Sequence, residues 1–543
     1  MSLRNRLLLP IALFAIAMLV ACGSSTSTPV PPPSGAFSNT DFTGTYTFSV
    51  LGWDNVPSTF AMSGSFTACG CSAGTISGGT VDIEDITGAD TLNTVGNNSV
   101  YNITQDGRGT ARLFMTTSGG TALPEIDVDF VLTSGSHGLI SRYDANGGGS
   151  GTIDSQGSGV ALGTGAYAFS LSGSDLADNA LATAGAFTLT SGGAIVTTGA
   201  SAGIQDFAYP TRNNYQGVAL SGSVTLGSGT TPGTATLSSS FGTLTFDVYT
   251  ISSSHLKLIE SDGLYLLVGD LFTESTPSIP SGNLVFSGGG LDPDEELFVT
   301  GGTVTSDGSS QLTSGLQDVN DAGSVDGGAT TLPAPSSFTG SFAVTPASNL
   351  RFLATLSGFF NGETNFALYP SDSGILFLEV DTTANAGVTS GVLLAQTSGA
   401  GFISSQGYGL NLTGEDFSNG VGLDEIAQFN TNSSGASLSG LLDENDGGSL
   451  GTSNLSGTIS AGSGGTGVVT NLSAGTAGFL YYAASTTSIV FIPIDLNVGV
   501  GILEGQTSPS SASADVVQRH VAMVKAAARS KKASHQAGSA SNK

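Results

Sequence analysis

Charge is scarce in this chain of 543 residues: Asp, Glu, Lys and Arg make up 10% of it, against roughly 25% of an average soluble domain. Basic side chains are scarcest, 14 Lys and Arg against 42 Asp and Glu, and the formal net charge is −28. A surface of that sign does not hold nucleic acid, which excludes nucleic-acid binding for the bulk of the chain. Tryptophan occurs once and cysteine three times. No stretch reads as a helix long enough for a βαβ crossover. The 79 glycines, roughly 15% of the residues, argue against a helical protein, since each costs about 1 kcal/mol relative to alanine inside a helix. Disorder is disfavoured as well: 39% of the residues are hydrophobic and 28 are Phe, enough to build cores. What remains is a long, acidic, glycine-rich, all-β protein.

The first 21 residues read as an export signal. Arg4 and Arg6 precede an apolar run over 7–20, which at 14 residues is short for a membrane span of about 20. Leu19-Val20-Ala21-Cys22 resembles the lipobox of bacterial lipoproteins. That resemblance implies cleavage before Cys22, acylation of its thiol and amino group, and a stable lipid anchor, because each buried methylene contributes about 0.8 kcal/mol. Gly23 and Ser24 follow with no Asp, which by the same resemblance points to the outer membrane of the cell envelope. Residues 22–35, with Pro29, Pro31, Pro32 and Pro33, read as an extended tether.

The body repeats itself four times. One landmark is Gly44-x-Tyr46-x-Phe48 with Gly52-x-Asp54, recurring as Gly165-x-Tyr167-x-Phe169 with Gly173-x-Asp175 and as Gly282-x-Leu284-x-Phe286 with Gly290-x-Asp292. A fourth copy is Tyr408-x-Leu410 with Gly414-x-Asp416, and these aspartates lie 121, 117 and 124 residues apart. A second landmark, an apolar run ending at Asp144, Asp262, Asp381 or Asp495, has spacings of 118, 119 and 114. Each unit finishes on a short run carrying Gln156, Glu274, Gln396 or Gln506. The expected units are 36–157, 158–275, 276–398 and 399–509, each about 118 residues, with joints short enough for a compact rod or arc.

Within a unit the apolar period is two. Tyr46, Phe48 and Val50 alternate with Thr45, Thr47 and Ser49, and 126–130 and 244–248 repeat the pattern, which predicts strands with one dry and one wet face. About eight short antiparallel strands per unit can lose their edges by closing into an up-and-down barrel. The Gly-x-Tyr openings resemble the Gly-x-Trp opening of lipocalin-like barrels, which implies the same barrel. β-Sandwiches are the alternative, and a propeller of half-units comes third.

Asp82, Glu84 and Asp85, then Asp318, Asn320 and Asp321, then Asp443, Asn445 and Asp446 occupy matching places in units one, three and four, where unit two has Gln205-Asp206. Such oxygens either ligate Ca²⁺, which needs six to eight hard donors, or cap their own hairpins. His137 and His255 share a repeat position but have no nucleophile or carboxylate beside them in sequence, so they read as strand-start residues near solvent. Gly462-x-Gly464-x-x-Gly467 satisfies a dinucleotide-binding pattern without the strand and helix its mechanism needs. Cys69 and Cys71 either form a disulfide in an oxidising envelope or stay free, and two ligands are too few for zinc. Trp53 reads as a sugar- or protein-stacking aromatic or as a loop plug. Residues 510–543 carry six basic side chains against Asp515, leaving 35 net negative charges on 22–509; Val517, Val521, Val524 and Ala528 fall on one side of a partial helix, which reads as having no specific partner, the alternatives being a basic face on anionic lipid or lipopolysaccharide phosphates and a disordered soluble tail.

The chain thus reads as a non-enzymatic, lipid-anchored envelope protein, a structural or binding array whose partners are membrane lipid and an envelope polysaccharide or surface protein. The alternative is an envelope carrier or enzyme with a small-ligand pocket in one barrel.

Overall fold

The computed structural model describes residues 36–54, 58–86, 91–209, 215–292, 296–325, 335–345, 347–382 and 387–509. The export signal, Cys22, the tether and the basic tail lie outside them. The described chain is antiparallel β-structure with a single 3-10 turn, Phe360–Gly362.

Four sheets follow one another along the chain, over 43–155, 165–274, 281–395 and 407–505. The second and fourth are closed barrels of eight strands in sequence order. In the third, Leu297–Asp307 pairs with Gln311–Asp321 and closes an eight-strand ring, leaving the two-residue strand Ser324–Val325 beside it. The first is a curled ten-stranded sheet whose order is open, with a bridge from Val100 on one end strand to Thr75, just before Ile76–Asp85.

The sequence landmarks have identifiable local jobs. The aspartate of each Gly-x-Asp caps the first hairpin of its unit: Asp54 accepts from the Ser58 N–H at 3.2 Å, Asp175 from Asn179 at 2.8 Å, Asp292 from Glu296 at 2.8 Å and Asp416 from Ser418 at 2.7 Å. The opening tyrosine latches its own barrel. Its hydroxyl donates to the carbonyl of Gly135 (2.7 Å, from Tyr46), Ser253 (3.1 Å, from Tyr167) or Thr486 (2.9 Å, from Tyr408), each in the loop before the next-to-last strand of its unit. In the third unit Leu284 holds that position and is buried in the barrel core instead. Incoming chain plugs the end of each sheet, with Phe37 and Phe42 in the first core and Ile279 in the third.

Alternation puts Tyr46, Phe48 and Val50 inside as expected. The expected wet face is not wet: Thr47 is 0% exposed and Ser49 4%. The outer faces carry small side chains because neighbouring units pack on them. Ala168, Ala180, Ala182, Ala184 and Ala186 of the second barrel share one apolar cluster with Val285, Leu297 and Val299 of the third and with Ile492 and Val500 of the fourth. Leu51 and Ala61 pack on Tyr249, Ile259 and Val268, and Val131 and Leu139 pack on Ile426. The first unit therefore meets the second and also the fourth. The rod or arc expected from the short joints is instead a closed ring. A head-to-tail contact repeated between like units closes when its rotation allows, and here four contacts complete the turn.

Candidate functional site

The repeated polar residues converge on the seams between units. At three seams the closing glutamine donates its side-chain amide to the same carbonyl of the next unit: Gln156 to Thr250 at 2.9 Å, Gln396 to Ala483 at 2.8 Å, and Gln506 to Leu132 at 2.9 Å. The following N–H makes a parallel bond, from Gly157 to Ile251, Thr397 to Ala484 and Thr507 to Thr133, at 2.8, 2.8 and 2.7 Å. The bonds from Gln506 and Thr507 run from the end of the fourth unit to the first. Sequence reading located these glutamines as a repeat mark and missed their role, since their partners lie one unit away.

The acidic clusters sit at the same seams. Tyr249 donates to Asp82 at 2.6 Å, and Tyr369 and Tyr482 donate to Asp206 and Asp318. Arg351 adds a two-pronged ion pair to Asp206, at 2.6 and 2.8 Å. Burial, reinforced by the facing aspartates, holds the phenols of Tyr249 and Tyr482 well above their ordinary range. Asn320 donates to the carbonyls of Pro493, Asp495 and Asn497 at 3.0 to 3.1 Å, and Asn445 to those of Asp144 and Gly147 at 3.2 and 2.8 Å. Glu84, in the matching place of the first unit, is 3% exposed. Asp85, Asp321 and Asp446 are half-buried at the hairpin ends. Asp443, in the fourth unit, meets Arg108 of the first at 3.4 Å. Among the described residues no group of three or more His, Cys, Asp or Glu is placed to hold a metal ion. A tyrosine at one strand position facing an aspartate at another is the sequence signal that would have found these seams.

The histidines differ most from expectation. They are not near solvent: His137 is 3% exposed and His255 2%. Nor do they lack carboxylates. His137 Nδ1 lies 2.6 Å from Asp154, directly across the strand pair, and Nε2 lies 2.8 Å from Glu504 of the fourth unit. His255 lies 2.8 Å from Asp270, and the fully buried Lys257 of the second unit stands between Asp270 at 3.4 Å and Asp154 at 3.5 Å. The result is a buried chain of alternating acidic and basic side chains, Glu504, His137, Asp154, Lys257, Asp270 and His255, stitching three units together. Burial pulls the His137 imidazole down, but Glu504 and Asp154 outweigh it and raise the group to about 10. Burial likewise raises the Asp154 carboxyl, and His137 and Lys257 outweigh that, holding it below the usual carboxylate range. The partners are 17 and 367 residues from His137, which is why spacing along the chain did not reveal them.

Trp53 is 2% exposed, so it presents no stacking surface. Its indole N–H donates to Asp424 of the fourth unit at 2.9 Å. The ring fits because glycines face it: a Cβ on Gly422 would lie 2.2 Å from Trp53 Nε1, and one on Gly148 2.6 Å from Cζ2. Cys69 and Cys71 are joined, their sulfurs 2.07 Å apart, in the loop before Ile76–Asp85. Gly462 and Gly464 lie in the hairpin turn between Ser449–Ala461 and Thr466–Thr470, and Gly467 in the second of these strands, with no helix following.

A groove of about 600 Å³ runs between the first and fourth units, lined among others by Arg108, Arg112, Asp129, Tyr143, Asp443 and Thr452. Arg108 bridges Asp106 at 3.1 Å and Asp443 at 3.4 Å, and Arg112 pairs with Asp127 at 3.0 Å. Burial, with Asp443 nearby, pushes the Asp129 carboxyl up to about 8, so it is neutral at pH 7. The groove offers hydroxyls, a neutral carboxyl and internally balanced ion pairs. Inside the third barrel lies a small apolar cavity of about 40 Å³, lined by Phe286, Phe338 and Phe377 among others.

No family model matches the chain, and no curated protein is similar to it in sequence.

Proposed function

We propose that the protein is a lipid-anchored lipoprotein of the cell envelope, placed at the outer membrane through Cys22, and that its ring of β units is a non-enzymatic structural and binding platform. The observation that carries this reading is that the repeated polar residues engage neighbouring units while apolar side chains fill the barrel interiors. The lipobox-like Leu19-Val20-Ala21-Cys22 supports the address. An envelope polysaccharide is the partner we favour, because the groove of about 600 Å³ between the first and fourth units presents hydroxyls and a neutral carboxyl. A ligand inside the third barrel is disfavoured by the small size of its apolar cavity, about 40 Å³. The test has two arms. A fatty-acid analogue should label the expressed protein and fail to label Cys22→Ser; equal labelling removes the lipid anchor. A glycan array should show saturable binding that Tyr143→Phe or Arg112→Ala weakens; binding indifferent to both substitutions removes the groove.

A further inference from the structure

The seam between the first and fourth units is filled over only part of its length. Val131 and Leu139 of the first unit pack on Ile426 of the fourth. Asp127, Asp129 and Val131 share the outer face of Ile126–Leu132, because Val128 and Phe130 between them point into the first core. From Val131 to Asp129 that contact gives way to the groove of about 600 Å³. Asp129 is paired with Thr110 on one neighbouring strand and with Ser141 on the other. Asp443, Leu450 and Thr452 of the fourth unit form the facing wall.

Asp129 is the group in this groove that calls for an occupant. It is 7% exposed and lines the groove, yet no described residue hydrogen-bonds to its carboxyl. Other carboxyls along the seam are provided for: Asp424 accepts from Trp53 at 2.9 Å and from Ser150 at 3.0 Å, and Glu504 lies 2.8 Å from His137. A buried polar group without a partner is costly, and a ligand that supplies the partner recovers that cost as affinity.

The charge around Asp129 selects the sign of the ligand. Four acidic side chains, Asp106, Glu125, Asp127 and Asp443, stand against two basic ones. Arg108 lies 3.1 Å from Asp106 and 3.4 Å from Asp443, and Arg112 lies 3.0 Å from Asp127 and 3.9 Å from Glu125, so both guanidinium groups are engaged. A ligand carboxylate or phosphate meets this acidic surplus and the 35 net negative charges of 22–509, whereas a cation is drawn in. Among the described residues no three His, Cys, Asp or Glu are grouped for a metal ion. A primary ammonium needs only acceptors for its three N–H donors. Asp129, Asp443 and the hydroxyls of Thr110, Tyr143 and Thr452 supply them.

We propose that the groove recognises a polysaccharide through free primary amino groups on its sugars, with Asp129 as the carboxylate that pairs with the ammonium. This rests on the glycan-binding reading of the groove and names the class of sugar. A sugar amine has hydroxyls on the neighbouring ring carbons, which match the hydroxyls beside Asp129; a lysine ammonium is flanked by methylenes alone. Burial, with Asp443 and Asp127 adding to it and Arg108 opposing it, keeps Asp129 protonated at pH 7 before the ligand arrives. A neutral amine takes that proton, the O–H bond breaking as the N–H bond forms, and an amine that is already protonated displaces it to solvent.

The test is calorimetric titration of the full chain at pH 7 with a glucosamine hexamer and with the same hexamer N-acetylated, which keeps the ring hydroxyls and loses the basic nitrogen. The amino form should bind at least about tenfold more tightly, and about 1 M salt should remove most of the difference. Asp129→Asn should weaken the amino form about tenfold, leave the acetylated form within about twofold, and not lower the melting temperature, since it takes an unpartnered carboxyl out of a buried place. Equal affinity for the two hexamers, binding of neither, or an amine preference unchanged in Asp129→Asn overturns the proposal, as does hexalysine binding as tightly as the amino hexamer. The comparison of the two hexamers on the unsubstituted protein is decisive even where the variant does not fold. Tyr143→Phe and Arg112→Ala should weaken both hexamers; indifference to them removes the glycan reading itself, which is distinct from loss of the amine preference.

Discussion

Glu274 breaks the pattern of the seams, and its replacement by glutamine has a calculable effect. At the other three seams a glutamine donates to a carbonyl of the next unit, at 2.8 to 2.9 Å. Counting from the seam tyrosines, Pro370 holds in the third unit the position of Thr250 and Ala483. Once ionised, a carboxylate there has no proton to give. Glu274 is 5% exposed, neither of its oxygens has a hydrogen-bond partner, and burial together with Asp372 pushes it up to about 8. Asp372 itself stays ionised: burial raises it, but hydrogen bonds from Ser275 and Thr273 outweigh that and lower it. The native state therefore prefers Glu274 protonated, while the unfolded chain ionises it near pH 4.5. Stability is fully present below that value and falls as pH rises toward 8, where the native group also ionises. Between pH 4.5 and 7 the cost is on the order of 3 kcal/mol, at about 1.36 kcal/mol per unit. Glu274→Gln removes it and supplies the missing N–H. Guanidinium unfolding should find the variant more stable at pH 8 by about 4 kcal/mol, with most of the difference gone at pH 5. A variant equally stabilised at both pH values, or weaker at pH 8, would refute the reasoning.

Two further outcomes follow from the seams. His137, raised to about 10 by Glu504 and Asp154, contributes stability that is complete below its unfolded value near 6.5 and lost as pH climbs toward 10; its imidazole resonances should stay those of the cation up to pH 9, and a midpoint near 6.5 would contradict the buried ion chain. Asp82 and Asp318 are already acceptors for Tyr249 and Tyr482, so adding millimolar Ca²⁺ after chelation should leave the melting temperature unchanged, and a rise would restore those clusters as cation ligands.

The architecture was largely legible, and the reason is local. An apolar period of two, turn residues at short intervals and a repeat near 118 residues all act within one unit, so the four-unit, all-β, barrel-forming character follows from them. Tyr46 and Asp54 were visible as landmarks for the same reason, since one latches a barrel and the other caps a hairpin. The seams were not legible. Thr47 and Ser49 look like a wet face because small polar side chains suit both solvent and a close contact between units. His137 looks isolated because Glu504 reaches it only after the ring has closed. Trp53 looks like a surface aromatic because Asp424 and Gly422, its partners, belong to the far end of the chain.

Closure also explains why the seams are polar. A closed barrel has no strand edge to offer, so its units cannot join by extending a sheet; they join through side chains on their outer faces. An all-apolar face would slide and would leave a large exposed patch on the terminal units of any open array. Directional bonds fix the register: an amide to one carbonyl, a phenol to one carboxylate, an asparagine bonded to several carbonyls of the next unit. Each buried carboxylate here is strongly destabilising if its partner is lost, by about 3–5 kcal/mol for a broken buried ion pair. In an open chain of four, the first and last units would each carry half of such a seam unsatisfied. The ring removes both halves at once, because Gln506, Thr507 and Glu504 dock on the first unit just where a fifth unit would otherwise begin.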